Sequence, residues 1–297
     1  MDRRGFDVGR ETNKQRRARQ AETAREKAAA ARAVARRQEQ RRRAAVILST
    51  VGVIVAVGVI IAVVAINSNS KSSGSNARLT ANRSVLREVT KVSPASLASI
   101  GQGTAQLIAK PATDPALTLN GKPELLYVGG EFCPFCAAER WSMVQALSRF
   151  GTFSGLREIR SAVTDGNIAT FTFYKSTYKS KYLSFVPVEN EDRNRNQLEP
   201  MTKAQQTIFT KYTNGFPFLD FGGKYTQTNA GFNPNDLSGF DQAQIASKLS
   251  DPTSKVSTDI LGESNVVTAM ICKMTNNQPA SVCDVPSITT LQGAIGA

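Results

Sequence analysis

Cys133-Pro134-Phe135-Cys136 places two thiols two residues apart, a spacing at which they can close a short disulfide and reopen it by exchange with other thiols. Only the thiolate attacks, so the chemistry depends on where each sulfur sits. Cys133 stands at the entrance of a helix predicted over residues 134–150, where unpaired backbone N–H groups and the helix dipole favour a negative sulfur. Pro134 supplies the fixed φ of a first helical turn. At about 100° per residue, Cys136, Met143, Leu147 and Phe150 share one arc of that helix. That arc is expected to face the core, which makes Cys136 the buried, resolving thiol and Cys133 the nucleophile. Glu131, two residues earlier, is expected to oppose this, because a nearby carboxylate raises a thiol's pKa.

Other uses of the motif remain open at this level. A Cys-x-x-Cys can be half of a zinc site, but the remaining cysteines, Cys272 and Cys283, have ten residues between them and the chain has no histidine, so no metal is expected. A purely structural short disulfide is a further alternative, since such loops occur in secreted domains. The lack of histidine removes Ser-His-Asp and Cys-His catalysis. No phosphate-binding glycine loop or paired-carboxylate signature stands out, and no cofactor is expected.

Several elements must position the dithiol. The apolar run Glu124 to Val128 ends at Gly129-Gly130 and predicts a buried strand leading into the helix. Residues 85–121 read as an N-terminal extension, with Val92, Leu97, Ile100 and Leu107 as apolar points between Pro and Gly breaks. Beyond the helix, Leu156 to Ala162 alternates as a strand. Phe171 to Tyr174 and Tyr182 to Val186 are β-prone runs around the polar stretch Lys175 to Lys181, which predicts a hairpin. Residues 201–213 have helical composition, stopped by Asn214-Gly215. Phe216-Pro217 then opens an apolar strand, Phe218 to Phe221, closed by Gly222-Gly223. Residues 240–250 predict a helix with Phe240, Ile245 and Leu249 on one face.

A last helix over 257–275 carries the stripe Val266, Val267, Met270, Ile271 and Met274, with Cys272 on the opposite side, free to reach Cys283. That pair is either a clasp on the C-terminal loop, stabilising by about 3 kcal/mol in the chain-entropy picture, or a relay that exchanges with Cys133 and Cys136.

Charge and hydropathy divide the chain. Residues 1–43 hold 15 Lys/Arg against 6 Asp/Glu, most of the formal net charge of +13. The remainder is only mildly basic, so nucleic-acid binding by the main domain is not implied. Residues 44–66 are uncharged and rich in Ala, Val and Ile, enough for about 35 Å of helix and one membrane crossing. Arg41-Arg42-Arg43 abuts their N-terminal end, so the positive-inside rule puts the tail in the cytoplasm and the rest of the chain outside. The run is too long and too late for a cleaved signal peptide. A Ser/Asn-rich linker over 67–78 precedes an extracytoplasmic domain over 79–297 that holds all four cysteines, an even number suited to an oxidising compartment. The basic tail is a solvated, partly helical arm or a contact for anionic lipid headgroups.

The succession of a strand, a Cys-x-x-Cys at a helix start, an intervening segment, then x-Pro and a strand resembles the thioredoxin fold. The phrase Glu131 to Trp141, with Leu147 to Gly151 after it, is similar to an uncharacterised prokaryotic family of membrane-anchored thioredoxin-like proteins, over about residues 85–290. The resemblance implies an α/β thioredoxin-like fold with an N-terminal extension and an insertion before the cis-proline strand, preceded by one transmembrane helix. It implies that Pro217 is cis and faces the dithiol, and that the backbone of Phe216 pairs with substrate. The implied activity is thiol-disulfide exchange on exported proteins, with a membrane partner recycling the couple. Pro-Phe between the cysteines is neither the Gly-Pro of reducing thioredoxins nor the Pro-His of periplasmic oxidases, which leaves the direction of electron flow open. Phe132, Phe135, Trp141 and Phe216 are candidates for an apolar substrate surface, although four aromatics near a core helix are more often simply packing. The competing expectation is a non-catalytic binding or scaffolding module with structural disulfides.

Overall fold

The computed structural model describes residues 78–295. The basic tail, the apolar run 44–66 and the linker up to residue 77 lie outside the described residues. Among those described, no helix is long and apolar enough to cross a membrane. Arg78, the last residue of the expected linker, pairs with Glu131 at 2.8 Å.

The residues before the dithiol form β1 (Leu79–Thr80), α1 (Arg83–Thr90), α2 (Pro94–Ile100), β2 (Lys110–Pro111), β3 (Thr118–Leu119) and β4 (Lys122–Gly130). The expected N-terminal extension therefore contains two helices, each started by a side-chain cap, Asn82 and Ser93, that satisfies an otherwise unpaired N–H. Then come α3 (Pro134–Ser148), β5 (Gly151–Ser154), β6 (Arg157–Arg160), β7 (Ala169–Thr172), β8 (Thr177–Ser180) and β9 (Ser184–Glu191). The chain closes with α4 (Lys203–Tyr212), β10 (Phe218–Phe221), β11 (Tyr225–Gln227), α5 (Gln242–Lys248), α6 (Lys255–Met274), α7 (Ala280–Cys283) and α8 (Pro286–Ala294).

This is a mixed α/β fold with three sheets. The main sheet runs β2-β11-β10-β4, and the far edge of β4 is shared by β3 and β9. β9 is parallel to β4, while β10 is antiparallel to both β4 and β11. Alternation along β4 splits its side chains between two cores. Leu125 and Tyr127 join the large core with α3 and α6. Leu126 and Val128 meet Phe218 and Phe209 of α4 on the other face.

The expected hairpin is not formed. β7 pairs with β6, and the polar stretch read as its loop is itself β8, pairing antiparallel with β5. The run after it becomes β9. The cause is aromatic packing: Tyr178 of β8 sits 4.9 Å from Phe153 and 5.9 Å from Phe185, ring to ring, so this strand buries enough to outweigh its polar neighbours.

The small sheets also change the burial of α3. Trp141 Nε1 donates to the Ala169 carbonyl at 2.8 Å and Thr170 Oγ1 to the Ala137 carbonyl at 2.7 Å, which ties β7 along the helix. With α6 and α1 on other sides, every residue from Cys136 to Leu147 is buried. The single core-facing arc expected for this helix is therefore corrected to burial all round. The same holds for α6, buried continuously from Asp259 to Cys272. It is not the last helix, and no side of it is left apart from its apolar stripe.

Cys272 nevertheless reaches Cys283. The two form a disulfide that joins α6 to α7 across a sequence separation of 11, with both cysteines wholly buried. Replacing both by alanine is expected to cost about 3 kcal/mol, the loop-closure value for this span. A shifted denaturation midpoint with unchanged thiol exchange at Cys133 checks it.

Candidate functional site: a buried dithiol at a helix entrance

Cys133 is the N-cap of α3, and its sulfur accepts the Cys136 N–H at 3.3 Å. Pro134 occupies the first turn, where the missing N–H costs nothing. The Cys133 S–H points at the Phe216 carbonyl, 3.6 Å away. Thus β4 and α3 present the Cys133 sulfur, and the loop before β10 brings the Phe216 carbonyl to it. The Phe216–Pro217 peptide is cis, and so is Gln278–Pro279.

Both sulfurs are free thiols and both are buried, Cys133 at 5% exposure and Cys136 at 0%. Their acidities diverge. Cys133 lies below an ordinary thiol, first because it accepts a hydrogen bond from the Cys136 thiol, then through backbone N–H groups at the helix start and the charge of Arg140, against the cost of burial. Cys136 lies well above, first through burial, then through its donation to Cys133 and the charge that Cys133 carries. The nucleophile and resolver expected from helix position are thus distinguished by their surroundings.

Glu131 does not act as expected. Its carboxylate is turned from the dithiol into a bidentate pair with Arg78, at 2.8 and 2.9 Å, and accepts the Thr172 hydroxyl at 2.8 Å. The charge felt by the sulfurs is instead Arg140, wholly buried and bound to Glu189 at 2.9 and 2.6 Å. Two signals for this pair were present: an arginine four residues after Cys136, hence on its helix face, and a carboxylate within the β9 run.

The expected aromatic surface divides. Trp141 is core, 4.6 Å from Phe171 ring to ring. Phe135 is exposed, and Phe132 and Phe216 are half-buried and meet edge to face at 6.2 Å. Arg195 lies 3.8 Å over the Phe132 ring and pairs with Asp165. Phe132 and Phe216 therefore meet beside Cys133, with one cation over the Phe132 ring.

A second buried polar group lies between α3, α6 and the end of β11. Gln227 Nε2 donates to Glu263 at 2.8 Å and Glu139 at 3.3 Å. Burial pushes the Glu139 carboxyl well up, with the neighbouring Glu263 adding to it, and pushes Glu263 up to about 7. Nothing in the residue spacing had marked this pair, because the partners are far apart in the chain.

A family model described as a domain of unknown function (DUF929) matches residues 112–214. The match spans about a third of the chain, from before β3 to just past α4. It includes both dithiol cysteines and Glu189 but ends before Phe216, Pro217 and the Cys272–Cys283 disulfide. It is narrower than the 85–290 span of the resemblance drawn from the sequence, and the matched family is likewise uncharacterised. No curated protein and no solved structure matches the chain.

Proposed function

We propose that this chain is a membrane-anchored, extracytoplasmic thiol-disulfide oxidoreductase of thioredoxin-like fold, exchanging disulfides with exported proteins through Cys133 and Cys136. One observation carries the reading: Cys133 caps the helix with its sulfur accepting the Cys136 N–H at 3.3 Å, beside the Phe216 carbonyl that precedes a cis proline, while Cys136 is wholly enclosed, so the two sulfurs are driven in opposite directions, Cys133 toward the thiolate and Cys136 toward the thiol. An exchange catalyst needs that split, because one sulfur must attack while the other waits. A purely structural disulfide has no use for it.

The order of elements supports the fold. β4, the dithiol helix α3, an intervening segment that holds the parallel strand β9 and α4, then Phe216-Pro217 and the strand β10 follow in the order of the resemblance. β5 to β8 are then the insertion before the proline strand. The Phe216 carbonyl beside Cys133 supports a role for that backbone in holding a substrate chain. The anchor rests on the apolar run 44–66 and its flanking arginines. It would place the domain beside its lipid surface, within reach of a membrane partner that recycles the couple.

Exchange would begin when the Cys133 thiolate attacks a substrate disulfide, forming a mixed disulfide and releasing one substrate thiolate. Cys136 then attacks Cys133, which closes the pair and frees the second substrate sulfur. Run backwards, the same steps oxidise a substrate dithiol.

The low exposure of Cys133 favours a second reading, a non-catalytic surface module whose short disulfide shapes a recognition loop. A redox titration of the full-length protein in detergent, with alkylation and mass mapping of Cys133 and Cys136, separates the two. A potential between about −120 and −270 mV is expected for an exchange catalyst. A pair still oxidised below about −300 mV is structural, and the oxidoreductase reading falls.

A further inference from the structure

Resolution poses a problem for Cys136. Its thiol is wholly buried and holds its proton more tightly than an ordinary thiol, yet it must attack as a thiolate to free a substrate from Cys133. An anion created in such a place needs a fixed opposite charge nearby.

One buried cation stands there. Arg140 follows Cys136 by four residues, on the same face of α3. Its Nη2 donates to the Gly130 carbonyl at 2.8 Å, and that carbonyl also accepts the Cys133 N–H at 3.2 Å. The guanidinium is therefore one backbone oxygen away from the nucleophile's own amide. Glu189 holds its Nε and Nη2. Nη1 has no protein partner among the described residues, nor does the hydroxyl of Tyr127, whose ring centre is 6.0 Å from the guanidinium carbon. A buried guanidinium rarely leaves a donor unspent, since each unmade hydrogen bond is costly.

We propose that Arg140 is the electrostatic partner of the dithiol, a buried guanidinium that stabilises the Cys136 thiolate as it resolves the mixed disulfide on Cys133. The assignment deepens the oxidoreductase reading and rests on it. In the resolving step Cys136 forms a bond to Cys133 Sγ and the bond from Cys133 to the substrate breaks. The substrate sulfur leaves as a thiolate and takes up, through solvent, the proton that Cys136 gave up. The substrate is reduced and the Cys133–Cys136 pair oxidised, with no further reagent. Arg140 touches no substrate atom and acts as a positioning residue. Its charge favours the thiolate at both sulfurs. Glu189 is the counter-charge that keeps the pair neutral while the dithiol is protonated.

Two substitutions distinguish this from a structural role because they act in opposite directions. Glu189→Gln removes the counter-charge and strengthens the pull of Arg140 on a thiolate. Arg140→Gln removes the pull. Alkylation by iodoacetamide across a pH series, on the reduced full-length protein in detergent with each sulfur mapped by mass, reads the thiolate directly. The expected midpoints for Cys133 and Cys136 fall by about one pH unit in Glu189→Gln and rise by about one in Arg140→Gln.

Both moving the same way, or neither moving, overturns the proposal. Removing Arg140 alone leaves Glu189 buried and unpaired, which can unfold the domain. The neutral double variant Arg140→Gln/Glu189→Gln is therefore measured alongside. Midpoints above wild type are expected in it, and wild-type midpoints also overturn the proposal. Turnover of a disulfide-bonded peptide by the wild type reports separately on the parent reading. An inactive wild type with opposite-signed shifts removes the oxidoreductase and keeps the coupling, whereas an active wild type without those shifts removes only the role of Arg140.

Discussion

Replacing Cys133 by serine is expected to bring disulfide exchange with a reporter peptide down to the uncatalysed background, a loss on the order of a thousandfold or more. The hydroxyl keeps the N-cap position and can accept the Cys136 N–H, so the fold should change little and the melting temperature with it. Cys136→Ser is expected to behave differently. The first attack survives because Cys133 remains at the helix entrance, although it loses the hydrogen bond from the Cys136 thiol that contributes most to its acidity. The mixed disulfide then has no internal thiol to resolve it and should accumulate as a covalent adduct. Non-reducing electrophoresis and intact mass read both outcomes. Undiminished exchange in Cys133→Ser would sink the assignment of the nucleophile. Adducts on Cys133→Ser but not on Cys136→Ser would reverse the two roles.

The second large effect is on stability. Glu263 titrates at about 7 in the fold against 4.5 ordinarily, because burial penalises its charge, and burial holds its neighbour Glu139 well up too. Between these limits the folded protein keeps a proton that the unfolded chain has released. The unfolded state therefore binds fewer protons, and stability falls as pH rises. The contribution is intact below about pH 4.5 and is lost as pH passes 7, on the order of 3 kcal/mol for Glu263. Glu263→Gln should abolish this part of the slope. Glutamine can still accept from Gln227 and donate to Glu139, so the variant should match wild type near pH 5 and exceed it at pH 8. Thermal melts at those two pH values check the prediction. Glu139, held up chiefly by its own burial, and Asp220, raised to about 6 by its own, leave slopes of the same sign in the variant. Equal slopes in wild type and variant would mean that burial does not hold Glu263 protonated in the fold.

The dithiol motif was legible in the sequence because its physics is local. An N-cap, a proline at the first turn and a four-residue spacing lie within one helix start, and the strand before it and Phe216-Pro217 after it are short apolar runs with clear breaks. The helices at 203–212, 242–248 and 255–274 were readable for the same reason. What escaped depends on contacts across the chain. β8 is polar by composition and becomes a strand only because Tyr178 finds Phe153 and Phe185. Glu131 sits two residues from Cys133, yet it is claimed by Arg78, 53 residues earlier. Arg140 finds its partner 49 residues later in Glu189. Trp141, an aromatic beside the motif, was open between substrate surface and packing in the sequence and is a core anchor, because β7 lies over it.

The complete burial of α3 divides the motif into two kinds of position with respect to sequence change. From Cys136 to Leu147 each side chain is enclosed, so a change of volume at one site must be matched by a change in a neighbour on α6, α1 or β7. Single substitutions there are penalised whatever they do to the chemistry. Pro134 and Phe135 are the only residues of the helix before Cys136, and they are half-buried and exposed respectively. They can be exchanged one at a time without disturbing the core. Tolerated single changes would therefore be concentrated in the two residues between the cysteines, while the shaft of the helix changes only in concert with its surroundings.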